Sequence, residues 1–331
     1  MLVSILINNY NYGRFLADCI RSAIGQTYQP IEVIVVDDGS TDDSLEIANT
    51  FSDQIKIISK ANGGQGSAYN AGFKASSGQV IIFLDSDDLL LPNVVKDATK
   101  LFNDSAVAKV QWRLTLMNEQ GVPTGELFPE TLHDSNIQTI IKKFGSYGSP
   151  PGSGNAYRRT AIEGYFPMRE IDWKIGADTL PALVAPFQGE VVNLNSPGGF
   201  YRIHNKIKSV NTFVMNNSPA IPSKAVELAE YTRKIVYELL TKARWLTSAY
   251  DYEMPAQVKL RLISLRVNPE EHPISGDTRW KCLIDGIKSI LHWPGFSIKK
   301  RLLYTGWFIA VAILPKNIAK SIILTGMNRK S

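Results

Sequence analysis

Asp85, Ser86, Asp87 and Asp88 stand together at the end of the apolar run Val80-Ile81-Ile82-Phe83-Leu84. In an extended segment, residues two apart point to the same side. Asp85 and Asp87 can therefore converge on one hard divalent cation, Mn2+ or Mg2+, and on a diphosphate that the cation carries. Crowded carboxylates of this kind are unfavourable until a cation neutralises them. Two other apolar runs end in polar groups of complementary chemistry. Val3-Ser4-Ile5-Leu6-Ile7 leads into Asn8, Asn9, Tyr10, Asn11 and Tyr12, and Ile31-Glu32-Val33-Ile34-Val35-Val36 leads into Asp37 and Asp38. With Tyr10 to stack on a base, Asp38 to accept from a base N–H, Asn8 in the polar patch and Asp85 with Asp87 for the phosphates, the set describes a nucleotide site. Gly63-Gly64-Gln65-Gly66 has neither the ending of a phosphate loop nor the dinucleotide spacing. It reads as a close backbone approach to the nucleoside, with Asn62 and Asn70 as polar neighbours.

Bringing these groups together requires strands that end on one edge. Each run is short and rich in β-branched residues, which reads as a buried strand, and Ile55 to Ile58 reads as another. Helical spacing appears between them, in Phe15, Leu16, Cys19, Ile20, Ala23 and Ile24, in Leu45, Ile47, Ala48 and Phe51 after a cap at Ser40 or Thr41, and in residues 66–75. Repeated βα units predict an α/β fold with a doubly wound, mostly parallel, Rossmann-like sheet, whose ligands collect at the carboxyl ends of its strands. Residues 107–117 read as one longer strand. Residues 145–157, GSYGSPPGSGNAY, read as a functional loop without regular structure.

The stretches VSILINNYNYGRFLADCIRSAIGQTYQPIEVIVVDDGSTDDS and NGGQGSAYNAGFKASSGQVIIFLDSDDLLLP, residues 3–44 and 62–92, follow in an order that resembles the family 2 glycosyltransferases of the GT-A fold. The resemblance implies a nucleoside-diphosphate sugar donor, with UDP the commonest nucleotide, a divalent metal on Asp87 and Asp85 (the DXD motif), and inverting transfer. The acceptor it implies is a hydroxyl of a glycan or lipid-linked molecule, in polysaccharide or glycoconjugate synthesis. It places the acceptor side at residues 145–157 and the general base in an acidic pair that opens a later helix. In the matching stretch, residues 173–181, Ala177 stands where the first acid is usual and Asp178 remains as the candidate base, with Asp172 as second choice. Tyr201-Arg202-Ile203-His204 resembles the segment that closes over the donor phosphates, which makes Arg202 and His204 candidate contacts. A sugar nucleotidyltransferase would need a Gly-rich signature with an Arg after the first strand, and none is present. A non-catalytic nucleotide-sugar binder of the same fold is the other reading, since Ala177 breaks the pair.

Charge is unevenly distributed. Residues 1–220 carry 18 Lys and Arg against 22 Asp and Glu, and residues 221–331 carry 18 against 9. The periodic stripe from Ile221 onward predicts helices, so the chain divides into a catalytic domain, residues 1–220, and a basic helical region, residues 221–331, joined through a crossing at residues 205–222. Leu302 to Leu314 is nearly all apolar but shorter than the roughly 20 residues a span needs, and it reads as peripheral and interfacial on a membrane, with a buried helical hairpin as the alternative. Its apolar content fits lipid and not nucleic acid. Cys19 and Cys282 lie far apart in helix-like segments and read as buried thiols. Met1 leads directly into the first strand without the pattern of a secretory signal, which predicts a cytoplasmic protein at the inner face of the cell membrane.

Overall fold

β-branched runs become strands in the computed structural model, which describes residues 1–133, 135–204, 213–215 and 218–328. The chain forms two compact units, one of residues 1–138 and 148–203, the other of residues 139–147 and 204–331. The division at Ile203 comes before the expected boundary at residue 220. Most of the expected crossing, residues 205–212, 216 and 217, lies outside the described residues.

The first unit opens with β1 (Val3–Asn9), α1 (Gly13–Ile24), β2 (Ile31–Asp37), α2 (Ser44–Asn49), β3 (Lys56–Ser59), α3 (Gln65–Ala75) and β4 (Val80–Asp85). After the short β5 (Leu89–Leu90) come α4 (Val94–Leu101), β6 (Val107–Gln111), β7 (Leu114–Met117) and β8 (Pro123–Phe128). After α5 (Ile137–Phe144), most of which belongs to the second unit, the first unit continues with β9 (Asn155–Arg158), α6 (Arg159–Ile162), α7 (Thr179–Val184), β10 (Glu190–Asn193) and β11 (Gly199–Arg202). A seven-stranded sheet has the order β10-β6-β9-β4-β1-β2-β3, and a four-stranded sheet the order β5-β11-β7-β8. In the larger sheet only β9 runs antiparallel to its neighbours, so it is mostly parallel, as the βα pattern predicts.

The central strands are buried on both faces, which explains their nearly continuous apolar character. Val3, Ile5 and Ile7 of β1 and Val80, Ile82 and Leu84 of β4 share a core with Leu16, Cys19 and Ile20 of α1. The alternate positions meet α3: Gly72 lies against Leu6 and Val36, and Tyr69 stacks on Phe83 with ring centroids 4.1 Å apart.

Three local expectations are corrected. The expected strand over residues 107–117 is two strands in two sheets, because the chain turns out of the large sheet at the fully buried Trp112, whose N–H donates to the Gly154 carbonyl. Neither Ser40 nor Thr41 caps α2, which begins after Asp43. Ser40 Oγ accepts instead from Asn9 Nδ2 and the Asn11 N–H, tying the end of β2 to the end of β1. The loop of residues 145–157 is not wholly irregular: Gly152–Gly154 makes a 3-10 turn and β9 begins at Asn155.

In the second unit, a short hairpin of β12 (Phe213–Met215) and β13 (Ser218–Ala220) precedes α8 (Pro222–Lys242), α9 (Pro255–Val267), α10 (Arg279–His292), α11 (Ile298–Ile313) and α12 (Lys316–Asn328). Its core joins Val258 and Leu262 of α9, Leu283 and Ile290 of α10, Phe308 and Val311 of α11, and Ile323 of α12. Arg261 is buried inside this unit because Asp277 and Glu253 pair with its guanidinium. Both cysteines are buried free thiols.

Candidate active site

Parallel register brings the first two polar groups together. Asn8 of β1 lies beside Asp85 of β4, and Asn8 Nδ2 donates to Asp85 Oδ1 at 3.0 Å. Strand order changes direction at β1, with β2 on one side and β4 on the other, so these ends sit at the switch point where open α/β sheets take their ligands. From the first turn of α3, Gln65 Nε2 reaches the same Asp85 oxygen at 3.4 Å.

The acidic turn is held from within. The Asp85 N–H donates to Ser153 Oγ at 3.1 Å, and that hydroxyl donates to Asp88 Oδ2 at 2.6 Å. The Arg202 N–H donates to the other Asp88 oxygen at 2.9 Å. Asp88 is therefore a buried structural anchor, while Asp85 and Asp87 remain part-exposed at the strand end. The Arg202 guanidinium donates to the carbonyls of Asp87 and Glu119 and lies over the Phe15 ring, 4.3 Å from its centroid. The Arg202 side chain staples the turn through backbone carbonyls.

Asp178, just before α7, meets this turn across one glycine. A β-carbon on Gly152 would lie 3.1 Å from Tyr69 Oη, 3.4 Å from Asp178 Cβ and 3.7 Å from Asp85 Oδ2. Gln65 links the same parts from the other side, since its Oε1 accepts from the Ala177 N–H at 2.9 Å. Lys109 of β6 is fully buried, and its Nζ donates to Ser149 Oγ at 2.9 Å. Burial pushes the Lys109 ammonium well below the usual lysine range, opposed by the charge of Asp178. Burial also raises the Asp178 carboxyl, opposed by the Gly152 and Thr179 N–H groups and by Lys109.

Asp85 is raised as well, with a consequence near neutral pH. Burial, then repulsion from Asp87 and Asp178, pushes it from 3.8 up to about 7, against the hydrogen bonds from Asn8 and Gln65. Between those two values the folded protein keeps a proton that the unfolded chain releases. Stability contributed by this group is present at low pH and is lost as pH rises through about 7. Urea denaturation of the metal-free protein across that window is expected to show a shallower fall with pH for Asp85→Asn than for the wild type. Equal slopes would mean that Asp85 titrates normally.

The remaining expected residues fall in different places. Asp38 is buried and accepts from Lys60 Nζ at 2.6 Å and from the N–H groups of Gly63 and Gly64, so it organises the glycine turn. Tyr10 is 47% exposed and Asn62 is exposed. Asn70 clamps the backbone of Met168 on both its N–H and its carbonyl. Asp172 pairs with Arg169 at 2.7 Å. His204 is buried and belongs to the second compact unit. Sequence reading missed Gln65, Tyr69, Lys109 and Ser153 as site residues. Only Lys109, a lysine within a buried strand, carried a legible signal.

Among the described residues no group of three or more His, Cys, Asp or Glu is arranged to hold a metal ion. Mg2+ and Mn2+ in phosphate sites nevertheless need only one or two carboxylates, because substrate oxygens complete the shell. Asp85 and Asp87 fit that requirement. Asn8 Oδ1, beside them, is a buried oxygen without a hydrogen-bond partner among the described residues, as is Tyr69 Oη across Gly152.

The sequence profile described as "Glycosyl transferase family 2" matches residues 4–166. An uncharacterized glycosyltransferase of Nostoc sp. strain PCC 7120 is 30% identical over 315 residues, covering 93% of this chain and 94% of that one. Among solved structures, S. aureus TarS 1-349 in complex with UDP-GlcNAc superposes with TM-score 0.55 at 18% identity, over 99% of this chain and 92% of that one. The mannosyltransferase PcManGT from Pyrobaculum calidifontis, in complex with GDP-Man and Mn2+, gives TM-score 0.51 at 14% identity, over 99% and 86%. At such identities the likeness to these two structures is one of fold.

Proposed function

The chain belongs to the family 2 glycosyltransferases, with their GT-A fold, and from that premise we propose that it moves a sugar from a UDP-linked donor to an acceptor hydroxyl with inversion at the anomeric carbon. The observation that carries this reading is the approach of Asp85 and Asp178 to the same point beside Gly152, which sets a cation-seeking carboxylate and a proton-accepting one around a single space. The UDP-GlcNAc bound in the TarS structure supports the choice of donor nucleotide. The Mn2+ in the mannosyltransferase complex supports a divalent metal.

In this reading Asp87 and Asp85 would hold the cation, which would supply Lewis-acid stabilisation to the departing diphosphate. Asn8 and Gln65 orient Asp85 by donating to its Oδ1. Asp178 takes the proton of the acceptor hydroxyl as the new C–O bond forms and the bond to the diphosphate breaks. Its raised pKa brings it toward the range where a carboxylate is an effective general base. The transition state resembles an oxocarbenium ion, as in glycoside hydrolysis. The acceptor is a hydroxyl of a glycan or lipid-linked molecule, received along residues 148–155, in polysaccharide or glycoconjugate synthesis.

A thermal-shift screen of UDP-, GDP- and ADP-sugars with Mn2+ tests the donor. A ligand that binds only the native state raises the melting temperature, by about 2.7 kcal/mol of stabilisation at a hundred times its Kd. A UDP-sugar is expected to give the largest shift, and release of UDP from it in water separates an enzyme from a binder. A larger shift with GDP- or ADP-sugars would overturn the nucleotide assignment, and bound UDP-sugar that is never turned over would favour the binder.

A further inference from the structure

Helix α11 has two faces, both apolar. Phe308, Val311 and Ala312 are buried in the core of the second unit. Ile298, Leu302, Ile309 and Ile313 are exposed instead. At 100° per residue these four positions fall within an arc of about 60°, along roughly 22 Å of helix. Ile298 is 79% exposed, Leu302 69%, and Leu303 on the flank of the same outer surface 67%. A helix on a soluble surface ordinarily turns polar residues outward, and this one does so almost only at Lys299.

Charge identifies what covers that face. After Asp285 the sequence contains eight Lys and Arg and no Asp or Glu. Arg301 is occupied structurally, donating to the carbonyls of Phe296 and Trp293, but Lys288, Lys299 and Lys316 are exposed. A second copy of this chain pairing through the same face would bring like charges together without a compensating acid, which is unfavourable. An anionic lipid surface offers both complements, with acyl chains for the aliphatic side chains and headgroup charge for the lysines. Among the described residues no helix is long and apolar enough to cross a membrane. We propose that the outer face of α11 docks in the plane of an anionic bilayer, with Ile298, Leu302, Leu303, Ile309 and Ile313 inserted at the headgroup boundary and Lys299 and Lys316 on the lipid phosphates. This inference is independent of the catalytic assignment, because none of these residues belongs to the site.

Sedimentation of the full chain with vesicles tests it, comparing pure phosphatidylcholine with vesicles of roughly one-quarter phosphatidylglycerol, where each basic residue near the surface contributes measurably. The protein is expected to bind the anionic vesicles, with binding that weakens in high salt without vanishing, because the apolar part is not screened. Leu302→Glu with Leu303→Glu should lower binding at least about tenfold at unchanged melting temperature, since both side chains are exposed. Lys299→Glu with Lys316→Glu, which keeps the apolar face, should reduce anionic binding to the level on neutral vesicles. Wild-type protein that ignores both vesicles, or binding that survives the Leu302 and Leu303 substitutions, would overturn the proposal. So would a concentration-dependent dimer that those two substitutions dissolve, which would make the face an interface between copies.

Discussion

Asp178→Asn is expected to lower turnover at least about a hundredfold while changing donor affinity by no more than about twofold, the separation that marks loss of a general base. The amide keeps the shape of the side chain beside Gly152, so the packing that brings Tyr69 and Asp85 to the same point persists. What disappears is the ability to accept a proton, and a hundredfold loss corresponds to about 2.7 kcal/mol of barrier. Steady-state kinetics with a UDP-sugar, together with calorimetric donor binding, measure the two quantities separately. Collapse of donor affinity with normal turnover of the bound fraction would assign Asp178 to the nucleotide side. Asp172 would then be the better base, although its ion pair with Arg169 argues against that role.

Asp87→Asn is expected to reduce kcat/KM about a thousandfold and to abolish the Mn2+ dependence of donor binding, since a cation on a phosphate stabilises the leaving charge by several kcal/mol. The fold should survive. Asp87 is part-exposed, whereas the buried carboxylate that holds the turn, bonded to Ser153 and to the Arg202 N–H, is Asp88. Removing the charge also relieves the repulsion that raises Asp85, so the metal-free variant should melt no lower than the wild type at neutral pH. Mn2+ titrations of donor binding and of activity test this directly. Full activity of Asp87→Asn at ordinary metal concentration would remove the metal from the assigned residues.

Much of this site was legible because it is built at the ends of buried strands. Composition and period report such strands well, since burial on both faces demands β-branched residues, and a strand's end is where its apolar run stops. Asn8, Asp38, Asp85 and Asp87 were found in that way. Contributions from far along the chain were not legible. Ser153 is 68 residues from the Asp85 N–H that it receives, and no local pattern distinguishes its hydroxyl from those of the serines around it. Arg202 is a candidate phosphate contact because Tyr201-Arg202-Ile203-His204 resembles the family segment that closes over the donor phosphates. In the fold its guanidinium donates to the carbonyls of Asp87 and Glu119, which only the folded chain brings near. The break at Trp112 was hidden for the same reason, because residues 107–117 have strand-like composition throughout and the turn is imposed by tertiary contact with Gly154.

The Ser153 hydroxyl has a consequence for how the site loosens. It accepts from the Asp85 backbone and donates to the buried Asp88 carboxylate, so the loop before β9 and the acidic turn after β4 share one fastening. Releasing it leaves a buried carboxylate oxygen without its donor, at a penalty of about 1–3 kcal/mol, which limits the released form to roughly a sixth of the population or less. The acidic turn and the loop are therefore coupled, so a substitution that removes the Ser153 hydroxyl should loosen both together.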